Sequence, residues 1–195
     1  MRDTTIEAYD RHAGEYADMA ETLHELAEME AMVGLLDAGA RLLDLGCGPG
    51  NYGAWFAARG LKVDALDASG EMVALAAAHP GVNARQGRFE DLPARPTYHA
   101  IWANFSLLHL PRAALPAQLR RLKGALIPSG LLHLGMKLGS GEKTDDLGRF
   151  YAYWREDELE ELLLEAGFTI TARRLGQGKG LAGKIEPHIL IRAHG

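Results

Sequence analysis

The sequence predicts an α/β fold built around a mostly parallel sheet. Short apolar segments with strand spacing alternate with longer segments whose apolar residues recur at helical spacing, an order typical of βαβ units. A glycine-rich turn joins the first strand to the next helix. With 195 residues, 47% of them apolar, the chain is long enough to form one domain over residues 1–195 with a buried core.

Composition excludes several functions. A net charge of −5 argues against non-specific nucleic-acid binding, which depends on clustered Lys and Arg. One cysteine cannot form an intramolecular disulfide, and eight scattered histidines predict no metal site. The sequence shows no charged-then-apolar leader and no apolar run of about 18 residues, so we expect a cytoplasmic protein without a membrane partner.

The N-terminal residues 1–39 have a helical pattern, in which apolar residues recur from Ile6 to Ala20. Gly14 predicts a break between two short helices. A longer amphipathic stretch, Tyr16–Leu36, predicts one helix that stops near Gly39. The sheet core is predicted over residues 40–195.

The first predicted strand, Arg41–Leu45, carries Asp44 at its carboxyl end. Three glycines follow at alternate positions, namely Gly46, Gly48 and Gly50, and a helical pattern starts at Asn51. Glycines allow a sharp turn and the close approach of a ligand, so this segment is typical of a nucleotide-binding unit. Asn51 occupies the position where a dinucleotide fingerprint has its third glycine, so that fingerprint fails. A glycine turn without a ligand is the structural alternative.

The string LLDLGCGPGNYG, residues 42–53, resembles motif I of the class I S-adenosylmethionine-dependent methyltransferases of the small-molecule type. The resemblance implies a three-layer Rossmann-like sandwich with a mostly parallel seven-stranded sheet and one antiparallel strand. It implies S-adenosylmethionine as cofactor and S-adenosylhomocysteine as product. The cofactor contacts that it implies in this segment are Asp44, Gly46, Cys47, Gly48 and Gly50.

The second predicted strand, Leu61–Leu66, leads into Asp67. An acid at this strand end lies beside the first turn of a βαβ unit and can accept from both ribose hydroxyls, which is how the family uses it. The string DASGEM, residues 67–72, resembles the stretch after this acid, so Ala68 and Met72 are expected at the cofactor. A core position is the alternative for Met72.

The adenine of the cofactor is expected to lie beside QGRFEDLP, residues 86–93, which follows a third strand over residues 81–86. Many relatives have Asp where this chain has Arg88. Glu90 or Asp91 is then the candidate acceptor for the adenine amino group, and Phe89 is a candidate contact or a core residue. Ala103, which ends the predicted fourth strand over residues 98–103, is expected to border the cofactor.

The resemblance also covers YDRHAGEYA, residues 9–17, which is similar to an N-terminal cover over the methionine end of the cofactor. Tyr9 and Tyr16 are therefore candidate contacts to substrate and cofactor respectively, with core packing as the alternative. NFSLLHLP, residues 104–111, lacks the Asn/Asp-Pro-Pro-aromatic motif of many nucleic-acid and protein amino-methyltransferases. His109 in this string is either a general base or a residue that holds the loop through a backbone bond.

The substrate wall is expected in an insertion over about residues 137–154. It lies between a fifth strand over residues 131–136 and a last helix over residues 155–166, followed by hairpin strands over residues 168–175 and 187–193. Lys137, Arg149, Tyr151 and His109 are candidate contacts to a substrate with a carboxylate or similar anion. The alternative pairs the two cations with Glu142, Asp145 or Asp146 on a solvated loop.

These observations predict a methyltransferase, monomeric or homodimeric, that acts on a small molecule by in-line displacement. A sulfonium methyl is already activated, so alignment and exclusion of water are the main requirements. An NAD-type oxidoreductase is one alternative, which the missing third glycine disfavours. A non-catalytic cofactor-binding or interaction protein is another, because methyl transfer leaves no obligatory catalytic residue in the sequence.

Overall fold

A computed structural model describes residues 3–20, 23–181 and 183–195. The helices in these ranges are α1 Asp3–Arg11, α2 Ala13–Ala20, α3 Leu26–Val33, α4 Asn51–Ala57, α5 Gly70–Ala77, α6 Leu115–Ala125 and α7 Glu156–Glu165. The strands are β1 Arg41–Leu45, β2 Lys62–Asp67, β3 Val82–Gln86, β4 Tyr98–Asn104, β5 Leu126–Lys137, β6 Glu142–Thr144, β7 Phe150–Ala152, β8 Thr169–Lys179 and β9 Ile185–His194.

The described strands form a seven-stranded sheet in the order β3-β2-β1-β4-β5-β9-β8. The pairs among β1 to β5 are parallel, whereas β9 is antiparallel to both β5 and β8. This confirms a mostly parallel sheet with one reversed strand. Since β1 pairs with β2 on one side and β4 on the other, the strand order reverses at β1. Ligands of open α/β sheets bind outside the carboxyl ends of the strands at such a point.

Helices cover both faces of the sheet. Alternate residues of β1 point to opposite faces, so Leu42 packs with Met29 and Phe56 of α3 and α4, while Leu43 shares a core cluster with Leu119 of α6. Fully burying a leucine or phenylalanine side chain contributes about 1.5–3 kcal/mol. Apolar residues on both sides of each central strand explain the three layers and confirm the predicted sandwich.

Several sequence-predicted boundaries differ from those of the structure. The helix predicted over Tyr16–Leu36 is interrupted: α2 ends at Ala20, whose carbonyl accepts from Asn51 Nδ2 at 2.8 Å, and α3 begins at Leu26. The break predicted at Gly14 lies at His12 instead. The closing hairpin is longer than predicted because most of its glycine-rich segment joins the ladder, up to the Lys179–Ile185 pair.

The predicted insertion contains a small antiparallel sheet of β6 and β7. Within the described ranges, no helix is long and apolar enough to cross a bilayer.

Candidate active site

The turn between β1 and α4 has a backbone that favours glycine. The φ angles of Gly46, Gly48 and Gly50 are +71°, +52° and +87°, in the region that side chains disfavour. Gly46 N and Cys47 N both donate to the carbonyl of Leu66, at 2.7 and 3.1 Å, which ties the turn to the end of β2. The sequence therefore folds into an open turn at the carboxyl edge of the sheet.

Asp67 ends β2 beside this turn. Its Oδ2 accepts from Gly48 N and its Oδ1 accepts from Ser69 N, both at 2.9 Å. Burial raises the pKa of Asp67, and these backbone donors act in the opposite direction. A carboxylate oxygen has two lone pairs, so each Asp67 oxygen can accept a further hydrogen bond.

A cleft of about 450 Å³, including its opening to solvent, lies at this edge of the sheet. Most of the predicted contacts line it, namely Tyr9, Tyr16, Gly46, Gly48, Asp67, Ala68, Met72, Phe89 and His109. Three further lining residues, Asn104, Phe105 and Ser106, were missed as site residues by the sequence reasoning. Their position at the end of β4, in the strand-end crevice of an α/β sheet, is the feature that identifies them.

Five of the predicted cofactor contacts do not line the cleft. Asp44, Cys47 and Ala103 are buried, Gly50 is the N-cap of α4, and Glu90 is exposed. Asp44 Oδ2 has no hydrogen-bond partner, and burial raises the pKa of Asp44 to about 7. The backbone amide of Gly53 acts in the opposite direction on the pKa of Asp44.

Tyr9 and His109 form a hydrogen-bonded pair within the cleft. Tyr9 Oη lies 2.8 Å from His109 Nε2, and His109 Nδ1 lies 2.6 Å from the carbonyl oxygen of Phe150. A carbonyl only accepts, so Nδ1 carries the hydrogen and Nε2 accepts from the Tyr9 hydroxyl. Burial lowers the pKa of His109 to about 3, so the ring is neutral at physiological pH. The backbone bond expected of a loop-positioning histidine is present.

The predicted cations of the insertion both have carboxylate partners. Arg149 is buried, and its Nε and Nη2 donate to Asp145 Oδ2 at 2.9 and 2.6 Å. Lys137 pairs with Glu186 of β9 and not with an acid of the insertion. Asp145 is one of the partners that the sequence offered for Arg149, but the pair is buried and does not lie on a solvated loop.

Tyr151 lies between these two cations. Lys137 Nζ is 4.0 Å and Arg149 Cζ 5.3 Å from the centre of its ring. The Tyr151 ring is 4.7 Å from that of His109, and Arg149 Cζ is 5.5 Å from the ring of Tyr9. The three predicted substrate contacts therefore form a layer behind Tyr9 and His109, outside the residues that line the cleft.

The cleft fits an adenosine cofactor with a polar tail. Asp67 offers acceptors for ribose hydroxyls, the glycine turn exposes backbone without side chains, and Met72 and Phe89 provide apolar walls for a flat ring. Ser106 is 5% exposed, and its Oγ has no hydrogen-bond partner. Over the described ranges, no group of three His, Cys, Asp or Glu residues is arranged to hold a metal ion.

The fold is similar to that of class I, Rossmann-like S-adenosylmethionine-dependent methyltransferases. Residues 42–130, from β1 to the middle of β5, match the family described as "Methyltransferase domain". This segment contains the glycine turn, Asp67 and the end of β4.

Two curated relatives are similar to the chain. Trans-aconitate 2-methyltransferase of Mycobacterium tuberculosis (strain ATCC 25177 / H37Ra) is 40% identical over 86 residues, which are 43% of this chain and 32% of that protein. An uncharacterized methyltransferase of Staphylococcus carnosus (strain TM300) is 28% identical over 142 residues, 70% of this chain and 65% of that one. The matched part of the chain thus spans about a third of the first relative and less than two thirds of the second.

A solved structure extends the likeness in fold. The crystal structure of Burkholderia thailandensis 1,6-didemethyltoxoflavin-N1-methyltransferase, with bound 1,6-didemethyltoxoflavin and S-adenosylhomocysteine, is 22% identical to the chain with a TM-score of 0.80. The likeness covers 98% of this chain and 87% of that one. The helical cover, the sheet and the insertion therefore belong to one known fold.

Proposed function

We propose that this chain transfers the methyl group of S-adenosylmethionine to a small-molecule nucleophile and releases S-adenosylhomocysteine. The observation that carries the proposal is the Asp67 carboxylate, which backbone amides fix beside the glycine turn. Two of the named proteins support it: one is a trans-aconitate 2-methyltransferase, and the solved Burkholderia thailandensis structure holds S-adenosylhomocysteine and a small molecule.

Each wall of the cleft has a proposed role in binding the cofactor. Asp67 accepts from the ribose hydroxyls, and Met72 and Phe89 flank the adenine. Gly46 and Gly48 let the cofactor approach the backbone, because a Cβ at either position would project from a strained φ. Tyr16 covers the turn, since a Cβ on Gly48 would lie 3.3 Å from its Cε1.

The proposed reaction is a displacement at the sulfonium methyl. The bond from carbon to sulfur breaks and its electron pair stays on sulfur, while a lone pair of the acceptor atom forms the new bond to carbon. A proton then leaves the acceptor atom if that atom carried one. The cofactor supplies the activated methyl group, and the protein aligns the nucleophile and excludes water.

On the acceptor side, we assign Tyr9 to orientation. Tyr9 Oη is hydrogen-bonded to His109 Nε2 and also interacts with the side chains of Arg149 and Tyr151, and a remaining lone pair accepts from an O–H or N–H group of the acceptor. His109 is a weak proton acceptor in this environment, because burial lowers its pKa to about 3. The geometry therefore favours a positioning role for His109 over general-base catalysis.

Tyr9→Phe should lower kcat for the methyl acceptor about tenfold, equivalent to about 1.4 kcal/mol of transition-state stabilisation. The reason is the loss of the hydroxyl that orients the nucleophile, with the ring retained. The dissociation constant for S-adenosylhomocysteine should stay within about twofold. Steady-state kinetics and calorimetry measure the two quantities. Tyr98→Phe, a buried tyrosine at the opposite end of β4, is the matched control and should leave both unchanged.

Calorimetric titration tests the cofactor directly. The protein should bind S-adenosylhomocysteine, and NADH should neither bind nor compete. Binding of NADH without binding of S-adenosylhomocysteine would replace the proposal with an oxidoreductase.

A further inference from the structure

The acceptor end of the cleft has no charged side chain among the described residues that line it. Asp67 is the formally charged residue in the lining, and the proposed function assigns it to the ribose. His109 is neutral at physiological pH, and burial raises the pKa of both Tyr9 and Tyr16, so these phenols stay protonated. The site therefore offers hydrogen bonds and apolar contact at its acceptor end, without a counter-ion.

The cations behind the acceptor end of the cleft do not supply a counter-ion for an anionic acceptor. Arg149 and Lys137 each lie within an ion pair, with Asp145 and Glu186 respectively, so the net charge of that layer is about zero. Glu186 also accepts from Tyr153 Oη at 2.7 Å, which holds it in place. Moving a carboxylate out of water is unfavourable unless a counter-ion is available. An anionic acceptor would have to break one of these pairs.

A neutral polar group at the end of β4 faces the cleft instead. Asn104 Oδ1 accepts from His133 Nε2 at 3.0 Å. His133 is buried and stacks on Trp102 with 3.6 Å between ring centres, and burial lowers its pKa to about 3. Gly135 leaves room for this contact, because a Cβ there would lie 2.4 Å from Asn104 Oδ1. With its oxygen so engaged, Asn104 has its amide hydrogens available to a ligand.

Phe105 and Ser106, which follow Asn104, also indicate that this segment binds a ligand. Phe105 has a φ of +53°, a strained conformation for a non-glycine residue, and such strain clusters at functional sites. This turn places the side chains of Asn104 and Ser106 in the same cleft lining. Ser106 Oγ is buried without a partner, and a hydroxyl in that state gains a hydrogen bond from a ligand.

We propose that the methyl acceptor is an uncharged molecule whose carbonyl oxygen or ring nitrogen binds the Asn104 amide, with Ser106 Oγ as a second hydrogen-bonding group. His133 is a positioning residue that fixes the orientation of Asn104. The inference rests on the proposed function and adds the class of its acceptor. It replaces the anionic acceptor that the sequence predicted from Lys137 and Arg149.

A paired library of acceptors tests the inference. Each pair contains a carboxylic acid and its primary amide, both with the same nucleophilic group, and the assay measures release of S-adenosylhomocysteine. The amide of an active pair should react with a kcat/KM at least tenfold above that of the acid. Faster reaction of the acids would overturn the inference and leave the proposed function intact. No reaction with any member, in protein that binds S-adenosylhomocysteine, would overturn the proposed function as well.

Variants then test the residues with the most active amide. Asn104→Ala should raise KM for the amide about tenfold while the dissociation constant of S-adenosylhomocysteine, which also reports folding, stays within twofold. Asn83→Ala, an exposed asparagine on β3, is the matched control and should change neither. His133→Leu should raise KM in the same direction, with kcat less affected. A parallel fall in S-adenosylhomocysteine affinity for Asn104→Ala, or an unchanged KM, would overturn the assignment.

Discussion

Asp67→Asn should weaken S-adenosylhomocysteine binding at least about tenfold, which corresponds to 1.4 kcal/mol. The wild-type carboxylate can accept two charge-assisted hydrogen bonds from the ribose, each worth about 1.5–3 kcal/mol before water compensates for the loss. The amide loses the negative charge, and its NH₂ group has to face either Gly48 N or Ser69 N, both of which are donors. Calorimetric titration measures the change in affinity.

Asp64→Asn provides the matched control for this prediction. Asp64 lies on the same strand and is buried, but its partners are Arg41 and Asn83 and it does not line the cleft. Its substitution should leave S-adenosylhomocysteine affinity nearly unchanged. An equal loss in the two variants would indicate a general effect on β2, and full affinity in Asp67→Asn would show that Asp67 does not bind the ribose.

Asp44→Asn should raise the free energy of unfolding at pH 8 by up to about 4 kcal/mol in the protein without cofactor. Burial raises the pKa of Asp44 from 3.8 to about 7, a shift of about three units at about 1.4 kcal/mol each. The unfolded chain ionises Asp44 above pH 3.8 and the folded chain only above about 7. Ionisation therefore destabilises the fold increasingly between these pH values, and an amide, which cannot ionise, removes the penalty.

Denaturant unfolding at several pH values tests this prediction. The difference between Asp44→Asn and the wild type should be near zero below about pH 4, grow up to about pH 7 and then level off. Asp37→Asn, at an exposed aspartate, is the control and should show little difference throughout. A difference independent of pH, or a variant less stable at pH 8, would contradict the account of Asp44.

The part of the cleft around the glycine turn was predictable because its residues are close together in sequence. β1, the glycine turn and the start of α4 are contiguous, and β1 has the bounds that the sequence predicts, Arg41–Leu45. Asp67 needs one further step, because parallel pairing of β1 with β2 brings its strand end beside the turn. Glycine spacing and one βαβ unit are sufficient for both inferences.

The acceptor half was less predictable because its contacts join residues distant in sequence. Lys137 pairs with Glu186 because β9 runs antiparallel beside β5, and no local pattern gives that register. The bond from His133 to Asn104 likewise depends on the pairing of β4 with β5. Sequence identifies cations in the insertion but not their partners, which is why it left an anionic acceptor and an ion-paired loop as alternatives.

The helical cover shows a different limit. Amphipathic spacing continues across the region where α2 ends, so periodicity alone predicts one helix over Tyr16–Leu36. At the last described residue of α2, Asn51 Nδ2 donates a hydrogen bond to the carbonyl of Ala20. A capping group from a distant element leaves no mark in the local sequence.

Turnover is the most direct test of the claim that the protein is a small-molecule methyltransferase. Purified protein would be incubated with S-adenosylmethionine and a metabolite library, and release of S-adenosylhomocysteine measured together with the methylated product by mass spectrometry. A small-molecule methyltransferase should show release that requires an acceptor and appears together with a product carrying one added methyl group. Tight binding of S-adenosylmethionine with no acceptor-dependent release across the library would contradict it and indicate a non-catalytic binding protein.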